Sequence, residues 1–362
     1  MGKYIKLFEN HAQYTAYTAS TEFITPNVSH CKEEVEVHYN PWVAETRLVA
    51  VLNVNNTSYP TPLMYHNKEN EFTEIEIDGV VQPSVVSAYT FDTIGEHTVK
   101  YTLADPTSIG RDTFASGFSF TSIVIPNSVT SIGSSAFFAC TNLTSINIPS
   151  GVTSIGENAF NDCSLSSINI PSGVTSIGLS AFSGCRGLTS CTFEENSQLT
   201  SIGGGAFASC ISLTSIDIPN SVTSISGSAF AACSGLTSID IPSGVTIIDY
   251  SVFYNCYALT SVNMPSGVTS IGSNAFYNCS GLTSIDIPSG VTSIGEWAFA
   301  SCSSLTSVTS NAMTAPTIQN STFQSVKTNG TLYVPQGSSG YNTWMGTGNH
   351  YLGKYGWTKV EQ

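Results

Sequence analysis

Positive charge is scarce in this chain. Its 362 residues hold 11 Lys and Arg against 25 Asp and Glu, for a formal charge of −14. Nucleic acid is a poor partner for such a balance, because phosphate binding draws on concentrated basic residues. Only 10% of residues carry charge of either sign, too few for a coiled coil or a disordered acidic tail. No stretch approaches the eighteen apolar residues that cross a bilayer, so no membrane span is expected. The opening MGKYIKLFENHAQYTAY lacks the apolar run of a signal peptide, so either the usual export route is not used or a leader lies outside this sequence. Histidine is missing between His97 and His350, and Arg186 is the single base between Asp112 and Val326. The many serines there have no His to activate them. With no GxSxG, GxGxxG or P-loop either, the chain reads as a non-enzyme with no cofactor and no metal.

What is abundant is repetition. PSGVTSIG occurs unchanged at Pro149–Gly156, Pro171–Gly178, Pro265–Gly272 and Pro288–Gly295. Phenylalanine marks the period at Phe114, Phe137, Phe160, Phe182, Phe207, Phe230, Phe253, Phe276, Phe299 and Phe323, mostly 23 residues apart. In the unit Leu143–Cys163, Ile146 and Ile148 point one way and Ser145 and Asn147 the other, as in a short strand. Pro149 ends that strand, since it cannot donate to a ladder. Val152 and Ile155 form a second inward pair. Ala159, Phe160 and Cys163 share a face if one turn of helix follows. One unit cannot bury these groups alone, but stacked units can, which makes a solenoid of about ten turns.

The strand ending in Ile-Pro, Val-x-x-Ile-Gly, then Ala-Phe-x-x-Cys and a Leu resembles the BspA-like, Treponema pallidum-type leucine-rich repeats. The resemblance covers about residues 106–330 and implies a short strand plus a short helix per repeat of about 23 residues. It departs at Cys191–Leu199, where CTFEENSQL replaces the Ile-Pro turn and adds two residues. It departs again at Ile248–Val252, where Asp249 and Val252 replace the usual Gly and Ala. Residues 331–362 resemble the family's C-terminal cap, with Tyr341, Trp344, Tyr351, Tyr355 and Trp357 to cover the last turn. Within residues 1–105, Glu34–Tyr39, Arg47–Val54, Phe72–Ile77 and His97–Leu103 read as strands. The part from about 45 to 105 resembles bacterial immunoglobulin-like domains, which implies a small β-sandwich. Residues 1–44 read as either a helix or a hairpin.

Eight cysteines follow the repeat Phe by three residues: Cys140, Cys163, Cys185, Cys210, Cys233, Cys256, Cys279 and Cys302. Side chains stacked in parallel do not face one another for a disulfide. No CxxC pair or neighbouring His supports zinc. The expected role is a buried ladder of small thiols beside the core column Phe137, Phe160, Phe182, Phe207, Phe230, Phe253, Phe276 and Phe299. Cys191 occupies an Ile position in the core. His30, Cys31 and His38 lack a fourth ligand and read as ordinary positions.

Two surfaces are candidates for binding. The outward strand column carries Asn147, Asn169, Asp217, Asp240, Asn263 and Asp286, beside a row of serines, and makes a polar, weakly acidic face for a protein, a basic peptide or Ca²⁺. Plain solvation of the sheet explains the same residues. Tyr254 and Tyr277 share one phase after the repeat Phe, with Tyr257 and Trp297 nearby, and exposed aromatics anchor contacts. Lateral packing explains these as well. The family resemblance implies recognition or adhesion at a bacterial surface, the partner being host matrix, a host cell or another bacterium. A phage or prophage structural or host-recognition role, on a virion, is the alternative. A carbohydrate-binding accessory role is a third, so a glycan ligand stays open.

Overall fold

A computed structural model describes residues 47–362. His30, Cys31, His38 and the strand expected at Glu34–Tyr39 lie outside the described residues. Each turn of the repeat lays down two strands. The front strand has the x-Ile-x pattern, as in Ser145–Asn147, Ser167–Ile170 and Ser284–Ile287. The second is a Ser-Ile pair such as Ser154–Ile155, joined in parallel to Ser131–Ile132 and Ser176–Ile177. Register keeps the repeat phase from turn to turn, mostly with Ser on Ser and Ile on Ile, Val or Cys, apart from Ile247 opposite Ser270. A one-residue slip would expose every core isoleucine, so the pattern fixes the stacking.

The core is one column per residue type. Ten phenylalanines from Phe114 to Phe323 are wholly buried and stack face to face. Ring centroids in the regular turns lie 5.2 to 5.5 Å apart, as for Phe137, Phe160, Phe182 and Phe207. Beside them the backbone closes without an α-helix. Among the described residues the helical segments are the short 3-10 turns Glu69–Glu71 and Leu352–Tyr355. The helix expected in each repeat is replaced by two consecutive turns. Left-handed residues sit two before and two after each Phe, as at Ser135 and Ala139 around Phe137. Such residues stop an α-helix. They also send alternate N–H groups along the solenoid: Ser135 to Glu157 O, Phe137 to Ala159 O and Ala139 to Asn161 O, at 2.7 to 2.8 Å. Neighbouring turns thus satisfy backbone groups that a helix would have satisfied within itself.

Residues 47–103 differ from the sandwich that the immunoglobulin resemblance implied. Arg47–Val54, Phe72–Ile77 and Gly95–Leu103 do form strands, as expected. They make one antiparallel sheet with Val80–Val81, and Arg47–Val54 also pairs with Phe120–Val124 of the first repeat. The sheet therefore continues the solenoid's front sheet, and its buried residues join the same core. The only other strand pair here is the two-residue match of Thr61–Pro62 with Ala88–Tyr89. The physical reason lies in alternation: Leu48, Ala50, Leu52 and Val54 point inward and need a neighbour, which the exposed first turn also needs.

At the far end the front sheet continues past the last repeat. Thr331–Val334 and Thr358–Glu361 add two parallel strands. Trp344 packs tilted against Phe323, ring centroids 5.3 Å apart, and donates its indole N–H to Pro316 O at 3.0 Å. The Tyr341 hydroxyl donates to Ala312 O at 2.8 Å.

Front strands are unpaired between Ser145–Asn147 and Ser167–Ile170 and between Ser261–Asn263 and Ser284–Ile287, and the two departures in the repeat mark two further breaks. The extra residues in CTFEENSQL form a loop that leans back on the preceding turn. Glu194 N–H donates to Ile170 O at 3.0 Å and Gln198 N–H to Ser172 O at 2.8 Å. The next front segment, Ser215–Ile218, is the one repeat position on this side that forms no strand, and its residues make no backbone–backbone hydrogen bond. One turn later the second sheet breaks between Ser224–Ile225 and Ile247–Ile248. The Ser-Ile-Gly glycines pack so closely that a Cβ on Gly156 would stand 2.6 Å from the Gly133 carbonyl carbon. Ser226 and Asp249 bring side chains into that column. The Ile-to-Gly bond made elsewhere, such as Gly272 N–H to Ile248 O at 2.7 Å, has no counterpart at Asp249. The Phe230–Phe253 spacing widens to 5.9 Å at the same place.

Candidate functional site

The thiol ladder forms as the phase requires. The nine cysteines of the described residues are free and buried. Each of the eight repeat thiols donates to the Phe carbonyl of the turn before, as Cys163 to Phe137 O at 3.0 Å and Cys185 to Phe160 O at 3.1 Å. Burial pushes the Cys185, Cys233 and Cys302 thiols up to about 12 and Cys163 well above its ordinary value. A thiol so buried and protonated is no nucleophile. Its work is packing and a weak bond between turns.

His97 illustrates what a histidine does here. Its Nδ1 lies 2.6 Å from Asp78 Oδ2 and its Nε2 lies 2.9 Å from Thr93 O. Burial opposes protonation of His97, yet the hydrogen bonds to Asp78 and Thr93 outweigh it and raise the pKa. With Nε2 aimed at a carbonyl, the ring has no free nitrogen to take a proton from a hydroxyl. The pair pins the strand Gly95–Leu103 to the turn at Asp78.

The polar front column is a real alignment. Asn147 stands opposite Val124, Asn169 opposite Thr192, Asp240 opposite Asn263 and Asp286 opposite Thr309. Asn147, Asn169, Asp217, Asp240, Asn263 and Asp286 are all exposed. The column is interrupted at Asp217, which lies on the segment that forms no strand. There the inserted loop and the following turn border an open groove of about 530 Å³, lined by Phe193, Glu194, Asn196, Asp217, Ile218 and Pro219 among others. Glu194 is held in place by Ser172 N–H at 3.0 Å and the Asn169 amide at 3.3 Å. The longer period was the sequence signal for this groove. Glu194 had no signal in the sequence beyond its place in CTFEENSQL.

On the opposite side the aromatic residues gather. Tyr254 and Tyr277 stack at 5.1 Å and 10°, and Trp297 meets Tyr277 at 6.1 Å and 60°. The three are half-buried, whereas Tyr257 is 45% exposed. Tyr250, 57% exposed, joins the same side and lies over Gly227 of the preceding turn, where a Cβ would collide with its ring. Its place beside Asp249, in the segment that breaks the pattern, was its only signal in the sequence. Trp297 has φ +59°. Other turns fill that position with Ser135, Asn158, Ser180, Gly205, Ser228, Ser251, Asn274 and Ser321.

The family model for the BspA-type leucine-rich repeat region matches residues 107–237 and 200–330, with six copies. The chain belongs to the BspA-type leucine-rich repeat family. Solved structures similar to it include the Treponema pallidum leucine-rich repeat protein, at 28% identity over 55% of this chain and 82% of that one, with a TM-score of 0.43. A Bacteroides ovatus leucine-rich repeat protein is 23% identical over 75% and 90% of the two chains, with a TM-score of 0.35. A leucine-rich cell surface protein of Faecalibacterium prausnitzii is 26% identical over 58% and 84%, with a TM-score of 0.28. No curated protein matches the chain. Among the described residues of this BspA-type solenoid, no helix is long and apolar enough to cross a membrane, and no cluster of three or more His, Cys, Asp or Glu could hold a metal ion.

Proposed function

We propose that this solenoid is a non-enzymatic recognition protein that binds a protein partner at a bacterial cell surface. The observation that carries the reading is the backbone of Trp297. A left-handed residue other than glycine or asparagine costs roughly 1–2 kcal/mol, and a bulky one is a genuine outlier. Keeping a tryptophan at +59°, where eight other turns use Ser, Asn or Gly, sacrifices stability for a side chain that is only partly buried. Strain of this kind collects at functional sites. The neighbours supply the rest of a contact patch, with Tyr277 and Tyr254 behind Trp297 and Tyr250 and Tyr257 exposed on adjoining turns. Aromatic clusters are where interface energy concentrates. Tyr254 and Tyr277 spend their faces on each other, which leaves little flat surface for a sugar and favours a protein.

Replacing Trp297 with Asn tests the reading. The variant is expected to melt at a higher temperature, because the backbone strain is relieved by roughly 1 kcal/mol. Its binding to immobilised matrix proteins and to host cells is expected to fall at least tenfold. A variant that is stabilised and binds as before would remove the patch from the interface.

A further inference from the structure

The last strand of the front sheet, Thr358–Glu361, has a free edge. It pairs in parallel with Thr331–Val334, and among the described residues no strand follows it in the sheet. We infer that this edge pairs antiparallel with the same edge of a second copy of the chain, about a two-fold axis at Val360. Lys359 of each copy then stands opposite Glu361 of the other.

Backbone direction comes first. Thr358 N–H donates to Gly330 O and Gln362 N–H to Val334 O, both at 3.0 Å. These residues turn their backbone groups toward the sheet. Backbone groups alternate along a strand, so Val360 does the same, while Lys359 and Glu361 present N–H and C=O at the free edge. Only such outward residues can exchange ladder bonds with a newcomer. With the axis at Val360, Lys359 meets Glu361 twice, and each meeting exchanges two N–H···O bonds. Val360, 40% exposed, meets its own copy at the axis.

Side-chain chemistry selects the occupant. Lys359 and Glu361 stand opposite Leu332 and Val334, which are wholly buried, so both charges lie on the face that is apolar in the repeats. A further repeat stacked here would set its apolar column against them and bury charge beside carbon. Inward charges on an edge strand turn ordinary strands away for this reason. The same two residues are complementary to themselves in reverse. A Lys and a Glu two positions apart become two opposite-charge pairs when the strand meets its own copy at this register. Moving the axis to Lys359 or to Glu361 would put like charges face to face. The charges are already gathered at the edge: Lys359 Nζ lies 3.0 Å from Glu361 Oε1, with the side chains 27% and 43% exposed. Glu361 Oε2 also accepts from Gly337 N–H at 3.4 Å, which steadies the carboxylate there. Pairing gives one particle two Trp297 patches, and two-point attachment to a surface outlasts single attachment.

Sedimentation equilibrium of the full chain, from about 1 μM to about 1 mM, tests the pairing. A monomer–dimer equilibrium that closes at two copies is expected. Lys359→Glu alone and Glu361→Lys alone should each weaken it at least tenfold, because each sets like charges opposite one another. An equimolar mixture of these two variants should restore the dimer, since one then offers only acids and the other only bases. That rescue also excludes a variant that has merely lost its fold. The register is read by oxidation. Val360→Cys should give a disulfide-linked dimer, while Thr358→Cys, whose mate across the axis is Gln362, should not. The nine native cysteines of the described residues are buried. A chain that stays monomeric throughout the range, growth beyond two copies, single variants that pair as tightly as the unsubstituted chain, a mixture that fails to rescue, or equal cross-linking at positions 358 and 360 would each overturn the inference.

Discussion

The Phe160 turn and the Phe230 turn are built from nearly the same letters and are held in different ways. Around Phe160 every column is filled by the residue its neighbours expect, and the ring lies 5.2 and 5.3 Å from the rings on either side. The second strand of that turn pairs on both flanks, its front strand Ser145–Asn147 pairs toward Phe120–Val124, and Gly156 slots against Gly133. Around Phe230 the front segment Ser215–Ile218 pairs with nothing, the second strand Ser224–Ile225 pairs only toward Ser201–Ile202, and the ring spacing opens to 5.9 Å toward Phe253. A solenoid is stable through its neighbour-to-neighbour interfaces. One turn keeps its second strand paired on both flanks and its front strand paired on one, and the other has an unpaired front segment and a second strand paired on one flank only.

The comparison predicts unequal costs for one and the same truncation. Removing a buried phenylalanine costs about 3–5 kcal/mol, depending on how far the site can collapse. Phe160→Ala leaves a hole between tightly stacked rings and is expected near the top of that range. Phe230→Ala, beside a gap that already exists, is expected near the bottom. Urea denaturation of the two variants decides it, and equal losses would mean that the faults do not loosen the core.

A second consequence is local. Thr269 N–H donates to Thr246 O at 2.8 Å and Gly272 N–H to Ile248 O at 2.7 Å. Thr246 and Asp249 have no such acceptor in the turn before them. Native-state amide exchange should therefore be about 100-fold faster at Thr246 and Asp249 than at Thr269 and Gly272, since an unbonded amide needs no opening event. Uniform protection across all four would erase the second fault.

Much of this difference was legible in the letters, and the reasons for the rest are physical. The Phe and Cys columns, the turn count and the two irregular segments follow from periodicity, because a stacked core repeats whatever it buries. Ser226 was overlooked because a serine among so many serines looks neutral, and it matters only where glycines touch across turns. The helix expected after each Gly was a fair reading of Ala-Phe-x-x-Cys. What overrode it was the left-handed residue on each side of the Phe, filled by Ser, Asn, Asp, Gly or Ala, types that also cap helices. The merger of residues 47–103 with the front sheet depends on Arg47–Val54 meeting Phe120–Val124, a pairing some seventy residues apart that no local pattern announces. The shared phase after the repeat Phe corresponds to the stacking of Tyr254 on Tyr277, with Trp297 beside them. Periodicity gave Asp217 the same standing as Asp240, and only the missing strand sets it apart.

The smallest expected effect is the most direct trial of cause. If side chains in the glycine column create the second fault, then the double variant Asp249→Gly, Val252→Ala should close it. The regained Ile225-to-Gly hydrogen bond is worth about 1 kcal/mol, and the entropy of a new glycine takes back roughly 0.5–1 kcal/mol. Global stability should thus move by less than about 1 kcal/mol, and urea curves alone would show little. Exchange is the sensitive readout: Thr246 and residue 249 should slow toward the rates of Thr269 and Gly272, while Ser215–Ile218, whose fault has a different origin in the inserted loop, should stay fast. Slowing at both places would mean that the two faults are one coupled distortion of the Phe230 turn. Slowing at neither would mean that the closely packed glycines do not control the break and that Tyr250, lying across Gly227, holds the turns apart instead.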